Sequence, residues 1–315
     1  MHFRSARLAA AALAAVLAAG CAPVYWVGAK ILYDKAPPPP RVDLAVPYDP
    51  AAPDDPKRQL DFYLPAGHDF PIVVFVHGGG WAWGDRTQSF GGADVYRNIG
   101  RFLAAQGYGT AVIGYRLVWP LDWRSQIGDV ARAVAFVQAQ AAARGGRADR
   151  VFLMGHSAGA QLAARVATDP AWLAREHGDP AGICGVVAVS GAGYDLGDIE
   201  TYRAGFDPLY FAERFGGSRL DGTWWHDASV VPWLDAGDPP FLVVSASGEA
   251  PGLRRQSRLF HGALEKAGIP SRLVMVPGSS HERILLELSR ADKTSGRAIL
   301  RFLQETACPR PAAAR

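Results

Sequence analysis

A serine stands between two glycines in the segment MGHSAGAQ, residues 154–161. In the pattern G-x-S-x-G a strand ends, the chain turns sharply and a helix begins, so the serine lies exposed at the tip of a strained turn. Gly155 and Gly159 occupy the positions where a Cβ atom would collide with that turn. This nucleophile elbow predicts that Ser157 attacks a carbonyl carbon and forms an acyl intermediate. Such pentapeptides also arise by chance in Ala- and Gly-rich chains, so the interpretation depends on partner residues elsewhere.

Two further loops offer those partners. The segment HGGGW, residues 77–81, directly follows an apolar run that ends at Val76. Its three glycines leave backbone N–H groups unobstructed, as a developing oxyanion requires, whereas the alternative is a plain flexible turn. The segment PGSSH, residues 277–281, follows the last predicted strand, and its histidine has the position and chain order expected of a general base. We therefore predict that His281 is the base.

The other histidines have contexts that do not suggest a base: glycine motifs, loops, helices or the N-terminal segment. These are His2, His68, His77, His156, His177, His226 and His261. No histidine spacing suggests a metal site, and we predict neither a metal nor a cofactor.

Two carboxylates could orient the base. Glu249 ends the segment SASGE, which follows the predicted strand 241–245, and a solvated surface glutamate is the alternative interpretation for it. Asp195 follows the preceding strand, which ends at Ser190. Either carboxylate could stabilise the imidazolium form of His281. The sequence favours Glu249 by position and leaves Asp195 as its rival.

The elements that must position these loops alternate between strand and helix. Strands are predicted at 59–64, 72–76, 110–115, 151–154, 183–190, 241–245 and 272–276, the first of them as an edge strand. Helices are predicted around 95–103, 127–137, 158–166, 253–267 and 289–305. Such alternation predicts an α/β fold, with a mostly parallel sheet covered by helices on both faces. The reactive loops then meet at the carboxyl ends of the strands.

The N-terminus is typical of a targeting segment. Two arginines precede the apolar run 8–19, which is too short to span a bilayer and suits a signal peptide. The run ends in LAAGC, residues 17–21, which resembles a bacterial lipobox, so we predict that Cys21 is lipidated. Ordinary secretion with an incidental cysteine is the alternative. Ala22 after the cysteine favours the outer membrane, and the predicted location is the cell envelope, facing the periplasm or the exterior.

The 315 residues divide into a signal peptide (1–20), a Pro-rich tether (21–45), a catalytic domain (46–306) and a flexible tail (307–315). The folded chain begins near Arg41, and an aromatic-rich cap-like insertion is predicted at about 192–238. Cys184 and Cys308 are predicted to be free thiols. The formal net charge of +3, two units of which come from the signal segment, gives no indication of a nucleic-acid partner. The sequence does not predict the oligomeric state.

Several motifs together resemble a known family. They are HGGGW, GYRL at 114–117, GHSAG, SG followed by YDL at 190–196, PP before a strand at 239–240, and GSSH. Between about Leu60 and Leu303 the chain resembles α/β-hydrolase-fold serine esterases of the hormone-sensitive-lipase-like and feruloyl-esterase-like (BD-FAE-like) group, close to isoprenylcysteine methylesterases and kynurenine formamidases.

This resemblance implies an α/β-hydrolase fold with Ser157 as nucleophile and His281 as base. It implies an oxyanion hole formed by Gly79, Gly80 and the amide of Ala158. Glu249 stands where the family usually has aspartate.

The function expected from these features is hydrolysis of carboxylic esters with small or medium acyl groups by a membrane-anchored serine hydrolase. One alternative is formamidase-like amide cleavage by the same residues. The other is a catalytically silent binding lipoprotein that keeps the fold.

Overall fold

The computed structural model describes residues 35–89, 93–117, 123–216 and 223–308. The predicted signal peptide and the predicted lipidation site, Cys21, lie outside the described residues. Within the described ranges, no helix combines the length and the apolar character needed to cross a membrane.

A single eight-stranded sheet organises the described chain. Its strands are β1 (Arg41–Pro47), β2 (Gln59–Leu64), β3 (Phe70–Val76), β4 (Gly109–Ile113), β5 (Gly146–His156), β6 (Ile183–Val189), β7 (Phe241–Ala246) and β8 (Ser271–Val276). Their order across the sheet is β1-β2-β4-β3-β5-β6-β7-β8. Strands β3 to β8 run parallel to one another, whereas β2 is antiparallel to both β1 and β4. The carboxyl ends of the parallel strands therefore share one edge.

The apolar strand sequences form two separate core layers. Successive side chains of a strand point to opposite faces, so a continuous run such as FPIVVFV can be buried on both sides. In β3, Ile72 and Val74 pack into one layer and Val73 and Phe75 into the other. Each face of the sheet therefore needs its own cover of helices.

Helices cover both faces and also form a separate cap. Helices α2 (Trp123–Gln140), α3 (Ala158–Thr168), α4 (Pro170–Arg175) and α8 (Pro251–Lys266) cover one face, and α1 (Val95–Ala105), α9 (Arg283–Leu288) and α10 (Thr294–Glu305) cover the other. Between β6 and β7 lie α5 (Ile199–Arg203), α6 (Pro208–Phe211), a π-helical turn (Ala212–Gly216) and α7 (Trp224–Ala228). We call this segment the cap. The predicted α/β fold class is confirmed.

Two predictions about strands differ from the structure. The strand Gln59–Leu64 is not an edge, because β1 lies outside it. Its polar residue Asp61 is buried rather than solvated, and its Oδ1 accepts from Arg86 Nε at 3.1 Å. The outer strand β1, Arg41–Pro47, begins inside the segment assigned to the tether and crosses the boundary predicted at 45/46.

The C-terminal helix also differs from its prediction. The helix predicted over 289–305 begins only at Thr294, because residues 289–293 form a turn after α9, in which Lys293 N–H donates to the Arg290 carbonyl at 3.1 Å. Gly296 allows the close return, because a Cβ there would lie 2.1 Å from the Arg290 carbonyl oxygen.

The prediction of two free thiols is wrong. Cys184, at the start of β6, forms a disulfide with Cys308, and their Cα atoms lie 4.4 Å apart. Helix α10 runs back across the sheet and Phe302 packs close to Gly185, so the chain leaving the helix passes Cys184. Residue 308, in the segment predicted to be a flexible tail, is therefore attached to the sheet.

Candidate active site

Ser157 lies at the tip of a tight turn between β5 and α3. Its backbone has φ 55° and ψ −122°, a conformation that non-glycine residues rarely adopt. A Cβ on Gly155 would lie 2.2 Å from the carbonyl oxygen of Gly159, and one on Gly159 would lie 2.2 Å from that of Val76. The Ser157 N–H donates to the Val189 carbonyl at 2.8 Å, which holds the turn against β6. The chain thus has the elbow geometry that the motif predicts.

The side chains of Ser157, His281 and Glu249 form the candidate relay: Ser157 and His281 share a hydrogen bond, and His281 and Glu249 lie within ion-pair distance. His281 Nε2 lies 3.0 Å from Ser157 Oγ, and His281 Nδ1 lies 3.4 Å from Glu249 Oε1. The hydroxyl of Ser245 donates to Glu249 Oε2 at 2.6 Å. The Glu249 side chain is completely buried, whereas the ring of His281 is 25% exposed. This is the arrangement by which a histidine can accept the serine proton while a carboxylate orients it.

Glu249 reaches His281 because their two loops are bonded to each other. The N–H of Ser247 donates to the Val276 carbonyl at 2.9 Å, and the N–H of Gly248 donates to the Ser279 carbonyl at 2.9 Å. Asp195, the rival acid, lies in a turn of its own, where Oδ1 accepts from the N–H of Gly197 at 2.9 Å. Within the described part of the chain, Glu249 is the carboxylate that lies within ion-pair distance of His281.

The charge of Glu249 is stabilised despite its burial. Burial raises the pKa of a carboxyl group, but the side chains of His281, Ser190 and Ser245 outweigh that effect and lower the pKa of Glu249 below its usual value. Glu249 is therefore ionised at neutral pH and can stabilise a protonated His281.

The glycine loop after β3 lies beside the elbow. Gly79 and Gly80 have φ values of 125° and 58°, and Trp81 follows at 63°. The N–H of Trp83 donates to the Gly79 carbonyl at 2.9 Å, and a Cβ on Gly79 would lie 2.0 Å from the Trp83 carbonyl oxygen. Because a trans peptide directs its C=O and N–H oppositely, the Gly80 N–H points away from Trp83. Gly79 and Gly80 line the same cavity as Ser157, and Ala158, the third predicted oxyanion residue, is the first residue of α3.

These groups share one cavity. A space of about 290 Å³ is bounded by Gly79, Gly80, Ser157 and His281, together with other side chains. The other lining residues are Trp83, Gly84, Gln88, Tyr96, His156, Tyr210, Glu282 and Leu285. The volume lies at the lower end for small-molecule pockets and suits a short acyl group better than a long chain.

In the sequence His156 stands out only as part of the glycine motif, yet in the structure it contacts the base directly. Its Nε2 donates to the His281 carbonyl at 3.0 Å, and the two imidazole rings lie 4.8 Å apart. Burial, together with the nearby His281, lowers the pKa of His156 well below its usual value. His156 is therefore a neutral support for the backbone of His281, and its place directly before Ser157 is the sequence signal that could have suggested this.

His77 is also buried and neutral. Its Nδ1 donates to the Gly78 carbonyl at 2.7 Å, and its ring stacks on Tyr115 at 4.3 Å between centroids. Burial lowers the pKa of His77 to about 4. This side chain stiffens the start of the glycine loop.

Most aromatic residues of the cap pack against the body of the protein. Phe211 and Phe215 meet the indole ring of Trp81 at 5.8 and 4.8 Å between centroids, and Tyr194 stacks on Phe260 at 4.1 Å. Tyr210 differs, because it lines the cavity of Ser157. In the described ranges, no group of three or more His, Cys, Asp or Glu side chains is arranged to hold a metal ion.

Comparisons with known proteins agree with this architecture. The BD-FAE family model matches residues 60–264. Esterase LipC from Mycobacterium tuberculosis is 31% identical over 268 residues, which cover 80% of this chain and 63% of LipC. Kynurenine formamidase from Danio rerio is 30% identical over 235 residues, or 73% of each chain. The crystal structure of esterase B from Lactobacillus rhamnosis superimposes with a TM-score of 0.71, at 22% identity, covering 96% of this chain and 95% of that one.

Proposed function

The chain belongs to the BD-FAE family, and from that premise we propose that it is a serine hydrolase that cleaves carboxylic esters. The observation that carries this proposal is the relay from Ser157 Oγ to His281 Nε2 at 3.0 Å and from His281 Nδ1 to Glu249 at 3.4 Å. Because the chain spans only 63% of the length of LipC, the activity of that relative supports the proposal without extending to this chain directly.

The relay supplies each proton transfer that ester hydrolysis needs. Ser157 Oγ attacks the carbonyl carbon while its proton moves to His281 Nε2, and the carbonyl π electrons move to oxygen. Collapse of the tetrahedral intermediate expels the alcohol, which takes the proton from His281. Water then repeats the sequence on the acyl group and releases the acid. Glu249 remains ionised throughout and stabilises the imidazolium form of His281.

The predicted oxyanion hole has a defined part in this mechanism. The N–H groups of Gly79, Gly80 and Ala158 would donate to the carbonyl oxygen as it gains negative charge. Two observations support this assignment. Gly79 and Gly80 have positive φ values, and a side chain at either position would collide with its surroundings. Both positions therefore favour glycine, which leaves the backbone N–H groups unobstructed.

The acyl group that fits this site is small or medium in size. The support is the cavity of about 290 Å³ in front of Ser157, which is bounded on one side by the cap residue Tyr210. Amide cleavage of formamidase type is a second candidate, supported by the 30% identity to kynurenine formamidase. It requires the same relay, with an amine in place of the alcohol.

Covalent labelling with a fluorophosphonate probe tests whether the site is catalytic. We expect the wild-type protein to be labelled at Ser157 and the Ser157→Ala variant to remain unlabelled. Absence of label from the folded wild-type protein would contradict the proposal and favour a silent binding protein. A panel of p-nitrophenyl esters of increasing chain length, acetylated sugars and N-formyl compounds then separates the ester and amide candidates.

We also propose that the protein is exported and held in the bacterial cell envelope through lipid on Cys21, with the outer membrane favoured. The disulfide between Cys184 and Cys308 supports export, because disulfides persist in oxidising compartments. Metabolic labelling with an alkyne fatty acid tests the anchor: we expect incorporation in the wild type and none in Cys21→Ser. Equal incorporation in both would show that the lipobox interpretation is wrong.

A further inference from the structure

The hydroxyl of Tyr210 occupies the space beside the glycine loop where a side chain would otherwise stand. A Cβ built on Gly80 would lie 2.1 Å from the Tyr210 hydroxyl oxygen. The absence of a side chain at residue 80 therefore admits the tyrosine as well as permitting a φ of 58°. Tyr210 lines the same cavity as Ser157 and His281, and its hydroxyl lies beside Gly80, one of the predicted oxyanion residues.

Arg214 fixes the tyrosine and the glycine loop relative to each other. Its Nε donates to the Gly80 carbonyl at 2.9 Å, and one terminal nitrogen donates to the Tyr210 carbonyl at 2.8 Å. The guanidinium carbon lies 3.5 Å from the centroid of the Tyr210 ring. Hydrogen bonds from a buried cation are stronger than those between neutral groups. One side chain thus connects α6 of the cap with the loop after β3.

The chemistry of Tyr210 suits a donor. Burial raises the pKa of Tyr210 above its usual value, although Arg214 opposes that effect, so the hydroxyl is protonated at neutral pH. The positive charge against the ring also stabilises electron density that moves onto the phenol oxygen as it donates. Tyrosine hydroxyl groups are among the side-chain donors that stabilise tetrahedral oxyanions in acyl transfer.

We propose that Tyr210 is a further catalytic residue, whose hydroxyl donates a hydrogen bond to the ester carbonyl oxygen as that oxygen becomes negative. Arg214 is the positioning residue that holds Tyr210 and Gly80 around the oxygen. The proton stays on Tyr210 throughout, so the step adds a donor to the attack by Ser157 and changes no other bond. This inference rests on the proposed ester hydrolysis.

Steady-state hydrolysis of p-nitrophenyl butyrate by Tyr210→Phe tests the proposal. Loss of one oxyanion donor lowers kcat by about 10²-fold or more, and we expect that loss with KM changed less than about threefold. Affinity for a trifluoromethyl ketone, which forms a tetrahedral adduct with the serine, is expected to fall by a similar factor. Arg214→Met is expected to reproduce the loss in kcat, and Arg214→Lys to recover part of it.

Tyr202→Phe is the matched control, because the hydroxyl of this cap tyrosine donates to the Leu196 carbonyl outside the cavity. It is expected to keep the kcat of the wild type. The proposal is overturned if Tyr210→Phe keeps kcat within about threefold of wild type, or if only KM rises. Fluorophosphonate labelling of the wild type distinguishes failure of this inference from failure of the proposed ester hydrolysis. If the wild type is labelled and Tyr210→Phe is fully active, only the role of Tyr210 is refuted. If the wild type is not labelled, both proposals are refuted.

Discussion

Replacing Glu249 by glutamine is expected to lower kcat by about 10²- to 10⁴-fold, because the orienting charge beside His281 is lost. Two unit charges at the observed 3.4 Å attract by about 5 kcal/mol at an effective dielectric of about 20, which corresponds to between 10³- and 10⁴-fold in rate. The ring of His281 is 25% exposed, so solvent screens part of this attraction. The expected range of kcat loss therefore extends down to about 10²-fold. Glutamine also presents an N–H donor in place of a carboxylate oxygen, which favours the wrong imidazole tautomer.

The assay is the steady-state kcat for p-nitrophenyl butyrate, with Asp195→Asn as the matched control. Asp195 lies in a separate turn, so this control is expected to reduce kcat much less than Glu249→Gln does. Glu249→Asp keeps the charge and is expected to retain substantial activity. A crippled Asp195→Asn together with a nearly silent Glu249→Gln would show that the acid is misassigned, while the roles of Ser157 and His281 would stand.

Three further predictions concern the nucleophile, the disulfide and a buried histidine. Ser157→Ala is expected to lower kcat about 10⁴-fold or more with little change in thermal unfolding, and turnover above about a tenth of wild type would refute its role. Cys308→Ser opens a loop of 124 residues, so the free energy of unfolding in urea should fall by up to about 5 kcal/mol. A fall near zero would contradict this, as would a fall that reduction of the wild-type disulfide does not reproduce. His77 has a pKa of about 4 in the folded chain against about 6.5 when unfolded, so the unfolded state binds more protons and stability falls as pH drops between these values. By pH 5 the free energy of unfolding is expected to have fallen by about 2 kcal/mol through this histidine. Urea unfolding of His77→Gln at the same pH values should not show this fall.

The sequence predicted the residues of the relay better than it predicted their surroundings. Ser157 and His281 occur in motifs whose glycines and strand context define a local geometry, so their positions could be expected before the fold was known. Glu249 is favoured by its position after the strand that precedes the histidine loop, and the bonded loops after β7 and β8 then distinguish it from Asp195. Predictions failed where distant segments meet. Neither Cys308 nor the outer strand β1 carries a local signal of its partner.

The sequence of the cap also could not predict which of its aromatic residues face the cavity. Nothing in the spacing of its aromatic residues separates Tyr210, which lines the cavity, from Phe211, which packs against Trp81. Adjacent residues of a short helix point in different directions, and the choice between cavity and core depends on where the glycine loop lies. The contact between Arg214 and Gly80 spans 134 residues of sequence, beyond the reach of any periodicity.

The close contact between the Tyr210 hydroxyl and Gly80 affects how these two positions can evolve and how the protein can be engineered. A side chain at residue 80 would displace the hydroxyl of Tyr210, so the two positions should change together among relatives of this chain. A chimaera that takes its cap from one esterase and its glycine loop from another would therefore combine residues at 80 and 210 whose shapes are not complementary. Exchanging both segments as a pair is the transfer that keeps their shapes complementary.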